Sequence, residues 1–280
     1  MSQNTSNISN EAKHKGKGVM GKLLQHAVGN FCWFELGTKD QIGAKAFYGK
    51  LFGWQIHDHP MPGEMGVYTM FMLDGKEVGA CYQLGPQMEG VPTHWMPYVC
   101  VASADAAAAK AVELGGELLM PAFDVMQHGR MATIKDPTGA NISIWQPKQH
   151  SGTDLVNAVG TACWCELATR NTTRAKAFYT SLFGWSTKDN VSPNMTYTEW
   201  INAAPIGGMM SQDGPQWDGV PPHWLTYFLV DDTDAAAAAA VAGGGKIIVP
   251  PMDIPGTGRF SVLFDPQGGA FAVIKLTMAM

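Results

Sequence analysis

One segment occurs twice. FCWFELGTKDQIGAKAFYGKLFGW, residues 31–54, returns as ACWCELATRNTTRAKAFYTSLFGW at residues 162–185. Phe47-Tyr48 recurs as Phe178-Tyr179 and Asp136-Pro137 as Asp265-Pro266, offsets of 178 − 47 = 131 and 265 − 136 = 129. GVPTHW at 90–95 recurs as GVPPHW at 219–224, and Gly129-Arg130 as Gly258-Arg259. A repeat kept in this order over half a chain requires one fold built twice. The halves run from 28 to 148 and from 158 to 276. Residues 149–157 contain Ser-Gly-Thr-Asp and read as a linker. Residues 1–27 are polar and basic and read as a flexible arm.

Within each half the pattern repeats again. Residues 31–36 are short, apolar and aromatic, which predicts a strand. Residues 40–51 place Ile42, Ala46, Phe47 and Leu51 near helical spacing, and Gly53 ends that helix. Strands are predicted over 54–59, 67–73 and 78–84. A further strand follows at 94–101, then a helix over 104–114 capped by Ser103 and closed by Gly115-Gly116. Strands at 117–123, 130–135 and 141–146 complete the half. Each half is therefore βαβββ twice, and the chain holds four such modules. In the second half Asp231-Asp232-Thr233-Asp234 opens an alanine-rich helix over 235–240.

Composition narrows the functions. A chain of 280 residues gives each half enough length for its own core. The net charge of −5 removes the basic footprint that a nucleic-acid partner needs. No apolar run approaches the 18 or so residues of a membrane span, so no membrane partner is expected. The amino-terminal segment lacks the apolar stretch of a secretory signal. The five cysteines, odd in number and irregularly spaced, do not form a disulfide framework, and a cytoplasmic location is expected. Cys163 and Cys165 stand two apart on a strand and are expected to share one face as small core residues.

The βαβββ modules with "A..FY..LFGW" and with "GR…DPxG" (Gly129-Arg130 with Asp136-Pro137-Thr138-Gly139, Gly258-Arg259 with Asp265-Pro266-Gln267-Gly268) resemble the vicinal oxygen chelate superfamily. That superfamily includes glyoxalase I, bleomycin-resistance proteins, fosfomycin-resistance transferases and extradiol dioxygenases. The resemblance covers nearly all of the chain after residue 28 and implies an α+β fold. Four modules would form two curved mixed sheets, each enclosing a cleft. Metal-using members place His, Gln or Glu on the first and last strands of their modules. Those positions fall here on Trp33 and Trp164, Ser143 and Ala272, Met96 and Leu225, and near Cys81 and Met209. Trp, Ser, Ala, Met and Leu are not usual ligands of a divalent ion. No metal and no cofactor is therefore expected; a divalent ion held by a non-standard ligand set is the alternative.

Strand alternation selects the residues that line the clefts. Trp33, Tyr98 and Trp145 in the first half, and Trp164 and Tyr227 in the second, share that face and suit a flat or apolar ligand. Glu35 and Glu166 lie two residues after the tryptophans. A carboxylate in such a cleft either finds a donor or rises in pKa, as a general base does. His94 and His223 stand at matched strand starts, either as acid/base groups or hydrogen-bonded to loop carbonyls. Arg130 and Arg259 either bind an anionic ligand or pair with Asp124 and Asp253 across their hairpins. His57 and His59 have no counterparts and read as surface residues. The leading expectation is a metal-free protein, monomeric or homodimeric, that binds a small aromatic or carbonyl compound. The alternatives are a glyoxalase-like lyase or isomerase with a glutamate base, and a scaffold whose clefts are filled by tryptophan.

Overall fold

The computed structural model describes residues 26–63, 66–193 and 195–277. The predicted arm lies outside the described residues except for His26 and Ala27. The first half contains β1 (Phe31–Thr38), α1 (Gln41–Phe52), β2 (Gln55–Pro60), β3 (Val67–Leu73), β4 (Lys76–Gln83), β5 (His94–Cys100), α2 (Ala104–Glu113), β6 (Glu117–Val125), β7 (Gly129–Lys135) and β8 (Asn141–Pro147). The second contains β9 (Ala162–Thr169), α3 (Thr172–Phe183), β10 (Ser186–Val191), β11 (Thr196–Asn202), β12 (Ala204–Ser211), β13 (His223–Leu229), α4 (Thr233–Ala242), β14 (Lys246–Ile254), β15 (Gly258–Phe264) and β16 (Ala270–Leu276). The order is that predicted from the sequence, with ends moved by a few residues.

Local chemistry explains the boundaries. Asp40 and Asn171 cap α1 and α3 by accepting from the backbone N–H of Gly43 and Arg174. Gly53 and Gly184 close these helices in the left-handed region, at φ 73° and 75°, which a side chain would disfavour. Ser103 and Asp232 cap α2 and α4 in the same way.

Each half forms one eight-stranded mixed sheet, in the order β2-β3-β4-β1-β5-β8-β7-β6 and β10-β11-β12-β9-β13-β16-β15-β14. The two modules of a half join at the centre, where β1 runs antiparallel to β5 and β9 to β13. One face of each sheet belongs to a single core shared by both halves, with Phe34, Leu36, Phe47, Trp54, Leu167, Phe178, Trp185, Trp200 and Phe228 among its members. The opposite faces carry two separate smaller clusters, one per half.

The repeated signatures meet across the junction of the halves. Tyr48 donates to Asp265 Oδ2 at 2.9 Å and accepts from Trp95 Nε1. Tyr179 donates to Asp136 Oδ2 at 2.8 Å and accepts from Trp224 Nε1. Trp54 Nε1 donates to Gly160 O and Trp185 Nε1 to Gly29 O, both at 2.7 Å. Each half thus supplies the tyrosine and tryptophan that close on the other half's turns.

The segment between the halves is more ordered than its composition suggests. Thr153, Asp154 and Leu155 are buried. Thr153 N donates to Cys32 O at 2.8 Å and Asp154 N to Glu77 O at 2.7 Å. No described helix is long and apolar enough to cross a membrane.

Candidate functional site

On β1, alternation turns Phe34 and Leu36 into the shared core and Trp33 and Glu35 to the other face. β5 brings Tyr98 opposite Trp33 and Met96 opposite Glu35. β4 lies parallel on the other side, with Ala80 beside Glu35. β8 sets Ser143 beside Tyr98, and β7 sets Thr133 beside Ser143. The floor formed by Trp33, Tyr98 and Trp145 is buried, whereas Tyr68, Met70, Met96 and Met131 keep partial access to solvent.

Glu35 is the centre of a hydrogen-bonded chain. Tyr68 donates to its Oε1 at 2.6 Å and Tyr98 to its Oε2 at 2.7 Å. Trp33 Nε1 donates to the Tyr68 oxygen at 3.1 Å. The second half repeats the arrangement: Tyr197 and Tyr227 donate to Glu166 at 2.8 and 2.9 Å, and Trp164 Nε1 donates to Tyr197 at 2.9 Å. Burial pushes both glutamate carboxyls above their ordinary range, and the phenol donors only partly offset it. Burial, reinforced by the adjacent carboxylate, pushes the four tyrosines well up, so they stay protonated donors. Two phenols use one lone pair on each carboxylate oxygen. Each carboxylate oxygen keeps a further lone pair.

The other candidates separate from this cluster. His94 and His223 begin β5 and β13, each with Nδ1 within 2.9 Å of a loop carbonyl, Pro92 or Pro221. Burial pushes both imidazoles down, toward the neutral form. His94 lies on the Glu35 side of β1, where Gly37 makes room. A Cβ on Gly37 would come within 3.1 Å of the His94 ring and 2.9 Å of the Tyr82 oxygen. His57 and His59 are exposed on the edge strand β2.

Of the two expectations for Arg130 and Arg259, an anionic ligand or pairing with Asp124 and Asp253, the structure shows the pairing. β7 turns Met131 into the cleft and leaves Arg130 on the helix side. There it pairs bidentately with Asp105 of α2 at 2.8 Å and also with Asp124. Arg259 does the same with Asp234 and Asp253. The Arg130→Ala variant is therefore expected to bind any cleft ligand with unchanged affinity. A titration that shows weakened binding would return the arginine to the site.

Two smaller expectations also change. Cys163 joins the cleft-side cluster while Cys165 joins the shared core, because a β-bulge between Ala162 and Trp164 breaks strict alternation. Cys81 and Met209 face the core. The cleft-side residues beside the glutamates are Ala80 and Gly208.

The donor set does not fit a divalent ion of the family type. Indole, thioether, methyl and aliphatic hydroxyl groups occupy the positions concerned. Among the described residues no group of three or more His, Cys, Asp or Glu side chains is placed to hold a metal ion. Sequence reasoning missed Tyr68 and Tyr197, although Val67-Tyr68-Thr69 and Thr196-Tyr197-Thr198 carry the same 129-residue offset as Asp136-Pro137 and Asp265-Pro266. It also missed Glu77 and His150.

Comparison with known proteins agrees with the fold. A family model described as "Glyoxalase/Bleomycin resistance protein/Dioxygenase superfamily" matches residues 25–144 and 162–273. The chain belongs to that superfamily. It is 44% identical over 259 residues to "Putative glyoxylase CFP32" of Mycobacterium tuberculosis, covering 91% of this chain and 98% of that protein. It is 34% identical over 267 residues to "Anthracycline biosynthesis protein DnrV" of Streptomyces peucetius, covering 91% and 96%. A Mn(II)-bound glyoxalase from Novosphingobium aromaticivorans shares the fold, with a TM-score of 0.62 at 16% identity over 89% of this chain and 82% of that one. So does the 2,3-dioxygenase LapB from Pseudomonas sp. KL28, with 0.61 at 13% over 89% and 93%.

Proposed function

We propose that each cleft binds a small planar organic molecule with aromatic and carbonyl character, without a metal ion. The carrying observation is the buried glutamate clamped by two tyrosines on an aromatic floor, built twice. The aromatic residues supply apolar and edge-to-face contact, and the carboxylate fixes the ligand's polar group. Relatives named for anthracycline biosynthesis support this reading, since anthracyclines are planar aromatic ketones. Each half completes the other's core, so the chain carries both sites as a monomer or as a homodimer. Its five buried free cysteines suit the reducing cytoplasm.

A second reading follows from the raised carboxyls. A glutamate that holds a proton more tightly than usual can remove one from the carbon next to a ligand carbonyl and return it elsewhere. That is glyoxalase-like isomerase or lyase chemistry; once the carboxyl holds the proton it can itself donate to one phenol oxygen, and that phenol's O–H is then released to the developing enolate oxygen.

Thermal-shift screening of soluble aromatic ketones and hydroxyquinones tests the binding reading, because a ligand of the native state raises its melting temperature. We expect stabilisation by planar aromatic carbonyl compounds that Trp33→Ala and Trp164→Ala together abolish. Stabilisation unaffected by those substitutions would move the site elsewhere. Solvent-deuterium uptake by a bound ketone separates the enzyme from the binder. Plasma mass spectrometry on protein purified without a metal column tests the metal-free statement. Near-stoichiometric nickel, zinc, iron or manganese would overturn it.

A further inference from the structure

The two clefts share one cluster and differ in what surrounds it. In the first, the segment joining the halves sends His150 back onto the cleft floor. Its ring meets Trp33 edge-on, with centroids 4.7 Å apart at 88°. Its Nε2 lies 2.9 Å from Glu77 Oε2, and its carbonyl accepts from Trp145 Nε1 at 2.9 Å. The backbone is fixed on both sides: His150 N donates to His128 O at 3.0 Å and Thr153 N to Cys32 O at 2.8 Å. Gly152, at φ 117°, permits this close approach, since a Cβ there would lie 2.2 Å from Cys32 O. The side chains of His150 and Glu77 nonetheless remain 21% and 30% exposed, open enough to meet a ligand. Across the same sheet, Tyr98 stands beside Ser143, whose hydroxyl meets that of Thr133 at 3.0 Å.

Among the described residues the second cleft lacks these groups. Ala80 stands beside Glu35 as Gly208 stands beside Glu166, so Pro205 occupies the place of Glu77. The pairing of β15 with β16 puts Val262 where Thr133 stands and Ala272 where Ser143 stands. Ile274 replaces Trp145 in the cleft-side cluster. Each change removes a hydrogen-bonding group and leaves the Trp–Tyr–Glu–Tyr cluster intact.

We infer that His150, positioned by Glu77, is the specificity-determining residue of the first cleft and selects aromatic ligands that carry a hydroxyl group beyond the one met by Glu35. An imidazole that donates from Nε2 to the Glu77 carboxylate keeps its other nitrogen as an acceptor for a ligand hydroxyl. The second cleft takes the same planar body without that selectivity. This inference rests on the binding reading above and deepens it.

The test uses the full chain and two probes, alizarin red S, which is a sulfonated dihydroxyanthraquinone, and a sulfonated monohydroxyanthraquinone, which keeps only the one hydroxyl that the glutamate meets. Calorimetric titration of Trp164→Ala protein reads the first cleft, and of Trp33→Ala protein the second. The first cleft is expected to prefer the dihydroxylated probe by about tenfold, the scale of one hydrogen bond, and the second to show no such preference. His150→Phe in the Trp164→Ala background is expected to abolish the preference while the monohydroxylated probe still binds. Glu77→Gln, which keeps an acceptor for the imidazole, is expected to reduce it partially and serves as the test if His150→Phe does not fold. Equal preference in both clefts, or a preference that survives His150→Phe, would overturn the inference and leave the binding reading standing. Failure of both probes to bind the unmodified protein at all would overturn both together.

Discussion

Trp54→Ala is expected to cost about 3–5 kcal/mol of folding free energy, the range for deleting a large buried aromatic side chain. Trp54 is 4% exposed. Its ring lies 4.8 Å from Phe52, 4.7 Å from Phe71 and 5.6 Å from Phe228 of the other half. Its indole N–H is the partner of Gly160 O, so truncation adds an orphaned carbonyl to the cavity. The melting temperature should fall by roughly 10 °C. Trp185→Ala should behave alike, because Trp185 makes the mirror bond to Gly29 O. Since these tryptophans span the junction, either substitution should weaken both halves in one cooperative transition. Urea unfolding followed by circular dichroism checks this. A loss under about 1 kcal/mol, or one half unfolding alone while the other keeps its wild-type midpoint, would contradict a shared core.

The same contacts show what the sequence could reveal. The repeat, the module order and the helix caps are local features, and each is legible from spacing and residue type. The meaning of the repeated signatures is not local. Tyr48 and Asp265 are 217 positions apart, and their bond exists only because the halves dock. Phe47-Tyr48 and Asp136-Pro137 therefore read as marks of a fold, when they also lock one copy to the other. The cleft faces were legible where strands alternate regularly, as at Trp33 and Glu35. Alternation failed at Cys163 because a bulge inserts a residue. Arg130 was legible as one half of an ion pair with Asp124, and only the position of α2 adds Asp105. His150 was hidden by a polar neighbourhood that suggests solvent, although Gly152 lets the segment fold down against β1.

The Glu35→Gln, Glu166→Gln double variant is expected to be more stable than the wild type at neutral pH and much less functional. Burial holds both carboxyls above their ordinary range, so the folded protein binds these protons more tightly than the unfolded chain does. The stability they contribute is fully present below the unfolded-chain value and is lost as pH rises through the native values. Glutamine carries no charge to desolvate, and its amide can still meet both phenols. The variant's advantage should therefore be near zero in acid and grow as pH rises through the native carboxyl range. It should then level off at about 1–3 kcal/mol for the two sites together, the scale of imperfectly compensated buried polar groups. Other shifted groups, including Asp265 and the buried His26, are common to both proteins and cancel in the difference. Melting temperatures measured across that range for the pair give the curve directly. Ligand affinity should fall about tenfold in the same protein, or turnover by a hundredfold or more if the carboxylates act as bases. A gain in stability paired with a loss of function marks groups kept for chemistry at the expense of the fold. A variant that is less stable at neutral pH, with its difference from wild type independent of pH, would show instead that the ionised glutamates hold the four tyrosines in place as a structural element.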